Sequence, residues 1–202
     1  METYHGIGVM SGTSHDGLDL ACCNFFEREK TWHFNIIEAV TIPYTDEWRE
    51  KLLGLPGAKK KEIKAANLEY GEFIGKRVFD FIRQYDLEAD FVASHGHTVF
   101  HDPANGITLQ IGDGQAIADA CGLTVVNDFR SADVAMGGQG APLVPAGDRM
   151  LFPEYDYCLN LGGIANISYE EDGRRVAFDI CPANMMLDLL AQRIGKPYAK
   201  GG

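Results

Sequence analysis

Residues 4–25 read YHGIGVMSGTSHDGLDLACCNF, an apolar strand, a tight turn of Gly, Ser and Thr, and a second apolar strand carrying Asp16 and Asp19. Residues 155–169, YDYCLNLGGIANISY, repeat the plan of strand, Gly-rich turn and strand. Glycines in such turns let backbone N–H groups approach an anion closely, and short hydroxyl or amide side chains can donate to it. Two turns of this kind facing each other across a cleft would clamp a nucleotide. Taken alone, the first turn also suits an ordinary Gly-containing hairpin. Gly6, Gly8 and Gly12 lack the G-x-G-x-x-G spacing of dinucleotide folds, and no P-loop lysine follows a Gly-rich run.

Working outward from the first hairpin, TWHFNIIEAVTIPY (Thr31 to Tyr44) reads as a third strand ended by Pro43. The period then changes. A short helix is expected over Asp46 to Leu55. From Lys59 to Tyr85, the residues Ile63, Ala66, Leu68, Phe73, Ile74, Val78, Phe79 and Ile82 recur at helical spacing, as one long amphipathic helix or a broken pair. DFVASHGHTVF (Asp90 to Phe100) predicts a strand leading into a His-rich turn, TLQIG (Thr108 to Gly112) a short strand, and Gly114 to Cys121 a helix closed by Gly122. LTVVND (Leu123 to Asp128) reads as a buried strand. Phe129 to Pro145, FRSADVAMGGQGAPLVP, is too Gly-rich for regular structure and too long for an idle connection, which marks a functional loop.

The second half begins again at about Met150 with three strands, the third RRVAFDI (Arg174 to Ile180), and a helix from Asn184 to Ile194. A meander with one helix leaves a sheet edge uncovered, which isolated sheets avoid. The sequence therefore predicts an α/β fold of duplicated domains, the first over residues 1–149 and the second, incomplete, over 150–202, truncated relative to the fold it encodes.

The 202 residues, 46% of them hydrophobic, are enough to bury a core. The formal charge of −11 argues against nucleic acid or an anionic membrane surface as partner. Neither a basic leader nor a membrane-length apolar run is visible, so a soluble cytoplasmic protein is expected. Five cysteines without a C-x-x-C pair point to reduced, mostly buried thiols. His95, His97 and His101 raise a different chemistry, a zinc-dependent hydrolase, since two of them alternate onto one strand face. Hydrogen-bonded structural histidines are the competing reading.

Six ordered blocks then carry a resemblance: GVMSGTSHDGLDLA (Gly8 to Ala21), SHGHTVFHDP (Ser94 to Pro103), TLQIGDGQAIA (Thr108 to Ala118), VVNDFRSADVAMGGQGAPLVP (Val125 to Pro145), LNLGGIANIS (Leu159 to Ser168) and FDICPANMMLD (Phe178 to Asp188). In this order they resemble the anhydro-N-acetylmuramic acid kinases, of the sugar kinase, actin and heat-shock ATPase superfamily. The resemblance implies a ribonuclease H-like (actin-like ATPase) fold in two similar domains. It also implies ATP and Mg²⁺ as cofactors, an amino sugar as substrate, and a homodimer as the assembly common among relatives. The implied reaction opens the 1,6-anhydro ring of anhydro-N-acetylmuramic acid with water and phosphorylates the released 6-oxygen, a step of peptidoglycan recycling.

Site residues follow from the same blocks. The resemblance makes Asp179 the catalytic base; from the residues alone, an acidic group beside a helix start serves equally as a helix-end anion. The ATP phosphate region matches Gly12, Thr13, Ser14, His15, Asp16, Gly17, Leu18 and Asp19, with Asp19 toward the metal, and Asn160, Gly162 and Gly163 resemble the second phosphate turn. For the sugar, Arg130 suits the lactyl carboxylate because a planar guanidinium binds carboxylates bidentately. Asp128, Asp133 and Gln139 share its loop, and His97, Thr98 and Asn184 complete the expected substrate contacts. His15 stands where the family pattern has an apolar or small residue, and His97 where it has Gln. A non-catalytic remnant that binds sugar or a partner is the further alternative.

Overall fold

The computed structural model describes residues 2–12, 15–141 and 143–196. Thr13 and Ser14, both expected at the phosphate turn, lie outside the described residues. The chain divides into two units, residues 1–141 and 142–202.

The first unit is a mixed sheet with helices. β1 (Thr3–Ser11), β2 (Gly17–Arg28) and β3 (Thr31–Pro43) form an antiparallel meander. Helices α1 (Asp46–Gly54) and α2 (Lys60–Tyr85) follow, then β4 (Phe91–Asp102), which returns parallel to β1. β5 (Ile107–Ile111), α3 (Gly114–Cys121), β6 (Thr124–Asn127) and α4 (Phe129–Ala135) complete it. The strand order is β3-β2-β1-β4-β5, with β6 also on β4. A meander, a helical crossover and parallel strands make up the ribonuclease H-like α/β plan that the sequence implied.

Local chemistry accounts for these elements. α2 is one unbroken helix of 26 residues. It starts where the Glu62 carboxylate accepts the Lys59 N–H at 2.7 Å and stops at Asp86, which takes a left-handed φ of 51°. Its buried side is Ala66, Tyr70, Gly71, Ile74, Gly75, Val78 and Phe81, one helical stripe against the sheet residues Ile7, Leu18, Leu20 and Val92. Asp113 caps α3 by accepting the Ala116 N–H at 2.9 Å, and Gly122 closes it at φ 76°.

The second unit holds α5 (Leu143–Leu151), an antiparallel meander of β7 (Tyr157–Leu161), β8 (Ile164–Glu171) and β9 (Arg174–Pro182), and α6 (Asn184–Arg193). Asp172 and Gly173, both at positive φ (49° and 75°), make the tight β8–β9 turn. Within it, Arg175 donates to Ser168 Oγ at 3.0 Å, and Ser168 donates to Asp148 of α5 at 2.5 Å. The meander thus begins the same plan as the first unit.

Three expectations need correction. Residues 129–145 are not one irregular loop: α4 occupies their start and α5 begins inside them. Seven non-glycine residues from Phe129 to Ala135 suffice for a helix, and the glycines that follow end it, with Gly137 at φ 87°. The histidines at 95–101 do not sit in a turn but on β4, which runs on to Asp102. Gly96 takes φ 70° there and absorbs the local irregularity in backbone register without ending the strand. Finally, β6 is largely open to solvent instead of buried, with Val126 48% exposed. All five cysteines are free, Cys22 and Cys121 buried and Cys181 exposed. Among the described residues no helix is long and apolar enough to cross a membrane.

Candidate active site

β4 changes partner along one edge: Phe91–Ser94 pair with Thr124–Asn127 of β6, and His97–Asp102 with β5. The segment His95-Gly96-His97 lies at that change. A Cβ on Gly96 would run into the Ile111 carbonyl, so both the positive φ and the close strand approach demand glycine. Two hydrogen-bond systems leave this point.

The first is buried. His97 Nδ1 lies 2.9 Å from Ser11 Oγ, Tyr44 donates to Ser11 Oγ at 2.8 Å, and the Tyr44 and Tyr70 hydroxyls are 2.5 Å apart. All four side chains are at most 5% exposed. Tyr44 uses its one proton on Ser11, so Tyr70 donates to Tyr44, and one further proton is shared between Ser11 Oγ and His97 Nδ1. His97 is neutral at neutral pH. Burial lowers its pKa to about 4, with smaller repulsion from His15, whose ring centroid is 4.9 Å away, and from His95. Burial pushes the Tyr44 and Tyr70 hydroxyls up.

That network has a pH signature. Unfolded histidine titrates near 6.5, and the folded value is about 4, so the stability contribution is complete above pH ~6.5. It is lost as pH falls toward 4, by at most about 3 kcal/mol. Urea unfolding of His97→Gln is expected to show a flatter acid limb over that window; an unchanged limb would assign the acid sensitivity to another group.

Ser11, Tyr44 and Tyr70 escaped the sequence reading. Ser11 stands immediately before the first turn, within its quoted block, but Tyr44 and Tyr70 carried only the signal of a strand end and a helix stripe.

Ser11 leads into that turn. Among its described residues, His15 takes φ 52° and its carbonyl accepts from Arg49 Nε at 3.3 Å. Gly17 is required by packing, because a Cβ would lie 2.7 Å from the Ile42 carbonyl. Leu18 is fully buried in the core, which leaves only its backbone available to a ligand. Asp16 is exposed, and its carbonyl accepts the Tyr44 N–H at 3.2 Å. Asp19 is exposed on β2, with Oδ1 accepting from Thr41 at 2.5 Å. Its Oδ2 has no partner among the described residues, which fits a carboxylate that holds a hydrated divalent cation through one oxygen.

The second system leaves the protein surface half open. Arg130 of α4 donates through Nε to His95 Nε2 at 2.9 Å and through Nη1 to the Gly140 carbonyl at 2.5 Å. Gly140 N–H donates to Asp133 Oδ2 at 2.6 Å. Arg130 is half-buried, yet both partners are neutral, and no carboxylate pairs with it among the described residues. A partly desolvated cation without a counter-ion is a site for an anion. Gly140, at φ 64° with Val134 Cγ2 2.8 Å from where a Cβ would stand, holds the carbonyl under Arg130. Gly140→Ala is expected to cost about 1–3 kcal/mol of local stability, read as faster amide exchange over residues 130–140 with the rest of the unit unchanged.

The remaining sugar candidates are not all brought to Arg130. Gln139 is exposed in the same loop. Thr98 accepts from Gln110 Nε2 at 3.4 Å. Asp128, at φ 58°, lines a separate depression of about 410 Å³ with Lys60, Lys64, Asn67, Gln110 and Ser131. His101 is exposed and 3.3 Å from Thr108 Oγ1. Both ring nitrogens of His95 are engaged, and no cluster of three metal-ligating side chains forms among the described residues; no observation favours the zinc reading.

In the second unit, strand register aligns Asn160, Asn166 and Asp179 across β7, β8 and β9. Asp179 is exposed, and no ion pair or side-chain hydrogen bond engages it among the described residues. The Gly162 and Gly163 carbonyls accept the N–H groups of Ala183, Asn184 and Met185, which ties the turn to the start of α6. Neither glycine has a positive φ, and a Cβ would meet nothing closer than 3.8 Å. Packing within the unit therefore does not demand glycine at either position, whereas close approach of a ligand to the backbone would.

The family model described as anhydro-N-acetylmuramic acid kinase matches residues 4–202. Curated relatives carrying that name include one from Paramagnetospirillum magneticum, 43% identical over 189 residues, covering 90% of this chain and 52% of the relative. One from Pseudomonas fluorescens is 39% identical, over 97% of this chain and 56% of its own. One from Gloeobacter violaceus is 36% identical, over 100% of this chain and 58% of its own. The chain spans about half the length of the curated relatives it matches.

Proposed function

Since the chain belongs to the anhydro-N-acetylmuramic acid kinase family, we propose that it forms part of an ATP-dependent kinase acting on 1,6-anhydro-N-acetylmuramic acid in the cytoplasm. Residues 1–149 are its first actin-like ATPase domain and 150–202 the start of its second. The assembly is a homodimer, on the family resemblance alone. The observation that carries the substrate reading is Arg130, a half-buried guanidinium whose partners among the described residues are a neutral imidazole and a carbonyl. An uncharged sugar would leave that cation uncompensated; the lactyl carboxylate of a muramic acid satisfies it.

The chemistry assigned to the remaining groups is compatible with their state. Asp179, free of hydrogen-bonding side chains among the described residues, takes a proton from water as the water oxygen bonds the anomeric carbon. The bond from that carbon to the bridging 6-oxygen breaks, and the 6-oxygen attacks the γ-phosphorus of ATP, releasing ADP and leaving N-acetylmuramate 6-phosphate. Phosphoryl transfer asks the protein chiefly for positioning and charge neutralisation. The turn at Gly12–Gly17 and the open backbone at Gly162 and Gly163 hold phosphate oxygens. Asp19 would hold Mg²⁺, which would neutralise the phosphate charge.

A coupled assay of ADP release tests the reading, made on this chain and on the chain continued by the C-terminal half of the Paramagnetospirillum magneticum relative. Sugar-dependent ADP release with ¹⁸O from water retained in the sugar phosphate is expected. ADP release indifferent to the anhydro sugar, or phosphorylation without water incorporation, would sink it.

A further inference from the structure

We propose that His95 is the positioning residue for Arg130: its neutral imidazole, protonated on Nδ1, accepts the guanidinium Nε–H and leaves the Nη2 edge as the face offered to a carboxylate. The carboxylate's identity rests on the sugar-kinase reading, whereas the latch itself rests on geometry. Arg130 Nε lies 2.9 Å from His95 Nε2, and a guanidinium nitrogen only donates. Nε2 therefore carries no proton. Nδ1 lies 2.9 Å from the Gly96 carbonyl, which only accepts, so the ring proton sits there. Both bonds require the same tautomer; an imidazolium keeps the Nδ1 bond to Gly96 but loses the one from Arg130, because its Nε2–H would face the guanidinium N–H.

The other side of Arg130 is held by Gly140, whose carbonyl takes Nη1 while its N–H is fixed by Asp133. Two of the three guanidinium nitrogens are thus committed to neutral acceptors. Nη2, with two N–H groups, has no partner among the described residues. The arrangement orients the fork without neutralising it, which a carboxylate in place of His95 would do. A preorganised, uncompensated guanidinium binds an anion with less ordering cost than a free side chain.

The titratable groups facing His95 are Arg130 from α4 and His97 along β4; Asp133 meets the same platform only through the Gly140 N–H. Burial, and then Arg130, hold the imidazole below its ordinary pKa. The latch is accordingly closed at neutral pH and opens on acidification below the usual histidine range.

Long-range ¹H–¹⁵N NMR on this chain reads the latch directly. At neutral pH His95 is expected with a bare Nε2 and a protonated Nδ1, and Arg130 with a slowly exchanging Nε–H. That Nε–H signal is expected to be lost in His95→Leu and retained in His95→Gln, whose Oε1 supplies an acceptor. Titration with 1,6-anhydro-N-acetylmuramic acid and with 1,6-anhydro-N-acetylglucosamine, which lacks the lactyl group, reads the consequence. The preference for the acid is expected to fall about tenfold in His95→Leu and to recover in His95→Gln. A His95 protonated on Nε2 in the unsubstituted chain, a measurement that needs no variant to fold, overturns the latch. So does an Arg130 Nε–H indifferent to His95→Leu. If the tautomer stands but Arg130→Leu leaves the preference for the acid intact, the assignment of Arg130 to the sugar carboxylate fails, and the positioning role fails with it.

Discussion

Asp179→Asn is expected to lower sugar-dependent ADP release by about a thousandfold, within the range measured for loss of a general base, while leaving the unfolding midpoint in urea unchanged. The two halves of that expectation have separate causes. Asn is nearly isosteric with Asp but cannot take a proton from water. Asp179 is exposed on β9 and free of ion pairs or side-chain hydrogen bonds among the described residues, so the fold loses nothing when its charge is removed. Its cross-strand neighbour Asn166 is uncharged. Measuring both quantities on the same variant separates chemistry from folding. Turnover within threefold of the unsubstituted protein would remove Asp179 from the reaction, and a large fall in urea midpoint would make it structural.

Gly75→Leu is expected to destabilise the first unit by about 3–5 kcal/mol, or to prevent its folding. α2 and α3 meet backbone to backbone at two glycines one turn apart. A Cβ on Gly75 would stand 2.6 Å from both Ala120 Cβ and the Ile117 carbonyl, and one on Gly71 would stand 2.6 Å from the Asp113 carbonyl. Those obstacles are largely main chain, so no rotamer change relieves them and the helices must separate. Separation would also displace Asn67, whose Oδ1 accepts the Gly112 N–H at 2.9 Å beside β5. Gly54→Ala is the control, since nothing lies within 4 Å of a Cβ there and the site is helical; it is expected to be neutral or to stabilise by a few tenths of a kcal/mol. Equal effects at Gly75 and Gly54 in urea unfolding would show that the close α2–α3 approach is not required.

Much of the fold was legible because its elements carry strong local patterns. The α2 stripe from Ala66 to Phe81 has helical period, Pro43 and Gly122 act through their own backbone preferences, and the Asp113 cap lies next to the helix it starts. The misreadings have a common origin. Residues 129–145 looked irregular because their glycines were weighed together, although the glycines cluster after Ala135 and leave the preceding run free to be helical. SHGH looked like a turn because glycine commonly marks one, yet strand pairing on both sides of Gly96 carries the chain straight through a positive φ. β6 looked buried because four apolar or β-branched residues in a row suit a covered strand, and neither their order nor their type says whether a further layer lies over them.

The candidate site divides along the same line. Residue types within a single short block, such as the turn at Gly12–Asp19 or the Gly162-Gly163 pair, are written in the sequence because a backbone nest needs only neighbours in the chain. The sequence by itself determined the order of strands and helices, the repeated turn, and the set of charged groups available to a substrate. Only the tertiary structure decided which of those groups meet. Tyr44 and Tyr70 come from different elements to hold Ser11 and His97, and His95 reaches across from β4 to Arg130 on α4. Side-chain partners 26 to 86 residues apart are set by strand register and helix packing, and hydrogen-bond donors and acceptors carry no periodicity that would announce them beforehand.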